Sequence, residues 1–367
     1  MKRIEPTIRG IPWLTACRML GFPKRRRVEQ VRHLFLCIAD HFEPYWQTAS
    51  RQLAEQRVTT WVRHYPGFAD RCRDSLGRPV QHTFFYPAED DDPVLLESLA
   101  RLTRQGYGDI EVHLHHDKDT SERFRDQIMS FTNSLVERHG LLDRGPDGRV
   151  SYAFIHGNWA LDNSRPDGRW CGLNDEITIL RETGCYADMT LPCAPEPGQT
   201  RIINSIYYAI DDPDRPKSHD WGIISRRGFD PPEDGLMMIQ GPLAWDWGRR
   251  KWKVLPKIEN GDLHGVNRPT VDRLRRWLEV APSVQGRPDW VFLKLHTHGA
   301  MPINTRLFLD GAAQDFHREL ALFSQQQADF QYYYVTAREL ATVIRQAEHG
   351  WVYPELGGDQ QCHPSAS

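Results

Sequence analysis

Short apolar runs of strand length recur along this chain, and stretches with helical spacing fill the intervals between them. Residues 33–39, His-Leu-Phe-Leu-Cys-Ile-Ala, are almost continuously apolar, as expected of a strand covered on both faces. Further strands are expected at residues 81–86, 110–114, 150–155, 185–188, 236–239, 290–295 and 331–335. Between them, Pro93 opens a helix with Leu95, Leu96, Leu99 and Leu102 on one face. Phe124, Ile128, Phe131 and Leu135 make a second apolar stripe. Other helices are expected over 51–76, 173–182, 268–280 and 338–347, whereas 192–232, rich in proline and glycine, reads as a long loop rather than a packed element. About eight strands alternating with helices, with no domain-sized linker, imply an α/β fold with a parallel sheet. A length of 367 residues with that strand number favours a closed or nearly closed barrel over an open sheet.

Composition narrows the class. Hydrophobic residues at 40% supply a core, and a formal net charge of -3 argues against a dedicated nucleic-acid binder, which needs a basic surface. The one basic run, residues 24–27, reads as a solvated face; contact with an anionic membrane or a diphosphate is the other reading. Seven cysteines, at 17, 37, 72, 171, 185, 193 and 362, are scattered and show no paired zinc-knuckle spacing. They are expected to be reduced, mostly buried small hydrophobes of a cytoplasmic protein. No signal peptide and no uninterrupted apolar stretch of about 18 residues is present, so no transmembrane segment is expected. The expected division is an N-terminal extension over 1–30, a barrel over 31–350 and a tail over 351–367.

The chemistry concentrates where strands end. Residues 108–119 carry Ile110, Val112 and Leu114 in alternation and then run into His113, His115, His116, Asp117 and Asp119, just before Thr120-Ser121-Glu122 opens a helix. Imidazoles and carboxylates at a strand-to-helix turn are the donors of a metal site, and His115 with Asp119 can reach one ion. The plainer alternative is that Asp119 caps the helix while the histidines bond locally. Asp40, His115, His156, Asp188 and His296 each stand at the carboxyl end of a different expected strand. In a β/α barrel those ends share one mouth, where loops build the active site.

These residues resemble the NodB-homology polysaccharide deacetylases (carbohydrate esterase family 4) over roughly residues 33–347. The resemblance implies a distorted (β/α)7-8 barrel of the polysaccharide deacetylase type, a divalent metal, most often zinc, and removal of an N-acetyl group from an amino sugar. Leu295-His296 resembles the family's late Leu-His pair, whose histidine is the general acid, and Asp40 resembles its aspartate base. Residues 111–115, Glu-Val-His-Leu-His, resemble the run into the first metal histidine. Three departures stand out. Asp40-His41 replaces the family's Asp-Asp, so the metal position falls to His41, to Glu43, or to Asp40 in a double role. His115-x-x-x-Asp119 replaces His-x-x-x-His, unless His113 or His116 substitutes, and His156-Gly-Asn-Trp159 replaces an arginine-proline motif.

The expected catalytic pair is therefore Asp40 and His296, and the expected metal ligands are His41, His115 and Asp119. Asp188, like the family's late aspartate, and Gln199, in a substrate-lining loop, join His156, Asn158, Trp159 and His298 as expected substrate-binding residues. Asp40 would take a proton from water, and a protonated His296 would pass one to the departing amine. Trp159 and Tyr207-Tyr208 suit either a sugar face or core packing, and Trp245, Trp247 and Trp252 form a second aromatic group near the mouth. His298 suits either a partner of His296 or a loop histidine. The implied partner is an amino-sugar glycan, or a lipid-linked or nucleotide-linked sugar. A metal-dependent amidohydrolase of a small amide and an inactive sugar-binding barrel are the alternatives.

Overall fold

The computed structural model describes residues 7–8, 11–20, 26–145 and 147–356. Residues 1–6, Lys24, Arg25, Pro146 and Cys362 lie outside them, as does most of the expected tail. The principal strands are β1 (His33–His41), β2 (His82–Pro87), β3 (Gly108–Leu114), β4 (Val150–His156), β5 (Cys185–Asp188), β6 (Ile206–Ile210), β7 (Gly235–Ile239), β8 (Ala244–Lys251), β9 (Leu255–Glu259), β10 (Trp290–Thr297) and β11 (Gln331–Tyr334). Nine helices occur among the described residues: α1 (Trp13–Leu20), α2 (Arg51–Ala69), α3 (Pro93–Arg104), α4 (Ser121–Glu137), α5 (Glu176–Glu182), α6 (Val271–Val280), α7 (Pro302–Leu309), α8 (Ala312–Gln325) and α9 (Ala337–Glu348).

One large, mostly parallel sheet organises the chain. It runs from the short strand Ile223–Ile224 through β6, β7, β5, β4, β3, β2 and β1 to β10, with β11 on the first half of β1. β10 and β11 run parallel to β1, and each of the pairs β1–β2, β2–β3, β3–β4, β4–β5 and β5–β7 is parallel. β6 and Ile223–Ile224 are the antiparallel edge, and β8–β9 form a separate hairpin.

Side-chain alternation sends successive residues of one strand to different layers. Leu34, Leu36 and Ile38 pack outward with Val58, Trp61 and Tyr65 of α2. Phe35, Cys37 and Ala39 face an inner cluster shared with Ala153, Ile155, Ala187, Met237, Ile239 and Phe292. That inner layer is capped by Leu340, Val343 and Ile344 of α9. α9 itself starts with a capping box, Thr336 with Glu339, which satisfies two otherwise unpaired amides.

Four expectations are corrected. The segment 192–232 contains β6, whose Ile206 and Tyr208 enter the inner cluster and whose Tyr207 and Ala209 enter the outer one. Four buried strand residues inside a proline- and glycine-rich stretch are masked by its average composition. The helix expected over 51–76 ends at Ala69, because Asp74 folds the chain back by accepting amides from Leu76 and Arg78. The basic run is not wholly a solvated face: Arg26 donates to the Leu278 and Ala281 carbonyls, and burial lowers it to about 10. The hairpin β8–β9 and the helices α7 and α8 occupy stretches where no element was expected. The other six cysteines are all free thiols, and no helix among the described residues is long and apolar enough to cross a membrane.

Candidate metal centre

β1, β3 and β10 deliver five donor side chains to their carboxyl ends. β1 finishes on His41, with Glu43 two residues on; β3 carries His113, with His115 just beyond; His298 follows β10. His41, Glu43 and His298 offer ligand atoms all within 4.8 Å of one another, and so do Glu43, His113 and His115. Glu43 thus joins the two groups. Its Oε1 lies 3.4 Å from His113 Nε2 and 3.8 Å from His115 Nε2. The His41 ring centroid is 4.8 Å from that of His113 and 4.7 Å from that of His298.

Their outer atoms hold these rings in a ligand-ready pose. His113 Nδ1 lies 3.1 Å from the Ile155 carbonyl, which can only accept, so the proton sits on Nδ1 and the Nε2 lone pair faces Glu43. His115 Nδ1 lies 2.5 Å from Glu89 Oε1, the carboxylate backing that metal-ligating histidines commonly have. The buried Nδ1 of His41 and Nε2 of His113 have no hydrogen-bond partner. Burial, reinforced by His298 and His113, holds His41 well below its ordinary pKa, and burial likewise lowers His113. Burial opposes the charge of Glu43, but the adjacent His113, with His298 and His115, outweighs it and lowers the carboxyl. His115 goes the other way: its burial is outweighed by the Glu89 hydrogen bond and charge, which raise it, so a cation there displaces a proton. Neutral His41 and His113 beside an anionic Glu43 are the protonation states a divalent cation requires. The donor set therefore fits a metal. Gly157 is needed for the approach, since a Cβ there would stand 2.4 Å from the His115 ring.

A second group shares no residue with the first. His116, His156, Cys171 and Glu176, all buried, offer atoms within 4.8 Å of one another and can hold a metal ion. Glu176 Oε1 is 3.2 Å from His116 Nε2 and 3.9 Å from His156 Nε2, and Cys171 Sγ is 3.2 Å from Glu176 Oε2.

Several expected positions move. Asp119 is not with His41 and His115. Its Oδ2 lies 3.3 Å from His116 Nδ1, and Thr120, not Asp119, caps α4 through the Arg123 amide. Asp40 is fully buried and already engaged, accepting from Gly299 N–H at 2.5 Å and from His82 Nε2 at 2.7 Å. It faces the α2 side because β1 alternates and His41 takes the opposite face. His296 has a buried, unpartnered Nδ1, and burial with the nearby Lys294 charge holds it well below its ordinary pKa. It is neutral at neutral pH, not the protonated acid expected.

Among the expected substrate-binding residues, His298 joins the ligand group and His156 is closed into the second one. Asp188 accepts the Thr190 amide and hydroxyl at 3.0 and 2.8 Å, while burial raises it to about 7. Gln199 is fully buried and accepts the Cys193 and Ala194 amides. Both shape the loop after β5 from inside, with no exposed surface for a substrate. Asn158 and Trp159 are half-buried at the rim, and the Trp159 ring stands 5.8 Å from His41 and 5.9 Å from His298. Tyr207 and Tyr208 are core residues, Trp245 is buried, and Trp247 and Trp252 are exposed on the hairpin.

Sequence reasoning passed over Glu89, Cys171, Glu176, His82 and Lys294. Cys171 and Glu176 come from a loop and a helix start, and no spacing links them to His116. The residue at the mouth with a usable signal was His113: residues i and i+2 of a strand share a face, so His113 and His115 belong together. A scan against protein-family models finds no match for this chain, and a search of curated proteins likewise finds none.

Proposed function

We propose that the protein is a metal-dependent hydrolase that removes an N-acyl group from an amino sugar, built on the distorted, incomplete β/α barrel of the NodB-homology deacetylases. The observation that carries this reading is the convergence of His41, Glu43, His113, His115 and His298 from three strand ends. The barrel is supported by the single inner cluster to which β1, β4, β5, β7 and β10 all contribute. It is supported as well by Lys294 of β10, whose Nζ reaches the Met189 and Leu191 carbonyls beyond β5, each at 2.6 Å.

Glu43, His113 and His115, with His41 and His298 alongside, would hold the divalent cation; nitrogen and oxygen donors of this kind suit zinc. When bound, it would polarise the amide carbonyl as a Lewis acid and make a water acidic near neutral pH. The chain's own residues do the rest. Glu89 and the Ile155 carbonyl orient His115 and His113. Asp40 holds the Gly299 amide and so positions the turn that carries His298. His296, neutral and with a free Nδ1, is suited to take a proton from water and then return it to the departing amine, histidine being the usual shuttle near neutrality. The Trp159 face at the rim offers a flat apolar surface for a sugar ring.

The test is acetate release from nucleotide-linked N-acetylhexosamine, lipid-linked sugar, short oligosaccharides and a small linear amide, with and without chelator. Chelator-sensitive release from a sugar substrate is expected. Release that chelation leaves unchanged, or a metal content well below stoichiometric, would discard the reading.

A further inference from the structure

We propose that His116, His156, Cys171 and Glu176 form a second, structural zinc site, closed by four protein ligands and separate from the centre at the mouth. Zinc bonds of about 2.0–2.1 Å to nitrogen or oxygen and about 2.3 Å to sulfur require tetrahedral edges of about 3.3–3.7 Å. From Glu176 Oε1 the two histidine nitrogens lie at 3.2 and 3.9 Å, on either side of that range, and Cys171 Sγ lies 3.2 Å from Oε2 of the same carboxylate. Hydrogen bonding accounts for only part of the cluster. His156 Nε2, fully buried, has no hydrogen-bond partner and points into it.

The surroundings are those of a metal-bound set. Cys171 Sγ accepts amides from Asn163 at 3.3 Å and from Leu173, two residues on, at 3.4 Å. These amides offset only part of the burial and Glu176 charge that push the thiol pKa up, so the proton the thiol donates to Glu176 is the one a metal would displace. Asp119 Oδ2 stands 3.3 Å behind His116 Nδ1 without completing a hydrogen bond, placed to back that imidazole once it ligates. Glu176 accepts the Asp162 amide on Oε2, leaving Oε1 toward both histidines. Loading requires the His156 proton on Nδ1, so the 3.2 Å contact from the Asn158 amide is given up. All four residues are buried, which leaves no open position for a substrate and makes the site structural rather than catalytic. Its function is to tie the loop after β4 and the start of α5 to the ends of β3 and β4.

Sulfur separates this site from the mouth, because Cys171 is the only cysteine in any ligand group among the described residues. The full chain is loaded with Co(II) in place of zinc and its near-ultraviolet spectrum recorded beside elemental analysis. Wild type is expected to carry two metal equivalents and a thiolate-to-cobalt charge-transfer band. Glu43→Gln should lose one equivalent and keep the band; Cys171→Ser should lose the band, keep the mouth equivalent and melt at lower temperature. Absence of the band from cobalt-loaded wild type, or its persistence in Cys171→Ser, would overturn the proposal. If Cys171→Ser does not fold, the wild-type and Glu43→Gln spectra still decide it. The hydrolase reading fails separately, through absent acyl release with the sulfur band intact.

Discussion

Glu43 shows how much a single side chain can carry. Among the described residues it is the one carboxylate in both histidine groups, and His113, with His298 and His115, keeps its pKa low despite its burial. Glu43→Gln preserves shape and removes the charge. Metal content at the mouth is expected to fall with turnover, by on the order of a hundredfold or more, as read by elemental analysis and acetate release. Glu89→Gln acts through His115 alone, and a loss of about 10–100-fold in metal affinity is expected, measured by competition with a chromogenic chelator. Asp40 tests a different role. Both Asp40 and His82 are fully buried, so Asp40→Ala strands an imidazole and the Gly299 amide. A cost of about 3–5 kcal/mol in urea denaturation is expected. Loss of turnover at unchanged stability would instead return Asp40 to the role of proton acceptor that its resemblance implied.

At the scale of elements, local pattern and tertiary demand agree for most of the sheet. β1, β3, β4 and β5 were readable because runs such as Ile110, Val112, Leu114 alternate or are wholly apolar, and burial on both faces demands that composition. β6 was hidden by its neighbours and α7 has only a weak stripe, whereas α8 carries a regular one, Ala313, Phe316, Leu320 and Phe323, that sequence reasoning passed over. Strand ends matter more than strand centres here. Gly157 follows β4 and lies against the His115 ring, so Gly157→Ala should displace that ring and reduce metal binding at the mouth. An unchanged far-ultraviolet circular dichroism spectrum would place that effect at the mouth and not in the fold. Thr336→Ala removes half of the α9 capping box and should cost about 1 kcal/mol by chemical denaturation without affecting either metal equivalent.

Across the whole molecule, buried histidines away from the mouth weaken the fold on the acid side, against buried carboxyls such as Glu111 and Asp188 whose raised pKa acts in the opposite sense. Burial lowers His219 and His317 to about 3, against an ordinary 6.5. Above pH 6.5 both are neutral, folded or unfolded, and contribute no pH dependence. Below it the unfolded chain takes up protons that the native protein refuses, so stability falls as pH drops from about 6.5 toward about 3. Each contributes up to about 1.4 kcal/mol per pH unit. His317→Gln, which keeps a partner for the Tyr334 hydroxyl, should reduce the slope of unfolding free energy against pH by about one proton.

The sequence alone determined the α/β class, the strand ends and the kinds of donor gathered there, because each depends on periodicity and composition over a few residues. Tertiary structure alone decided which donors meet. His115 and His116 are adjacent in the chain yet serve different groups, since successive side chains leaving a strand point to opposite sides. Glu43, Cys171 and Glu176 reach those groups through turns whose closure follows from packing of distant parts of the chain, which no local pattern encodes.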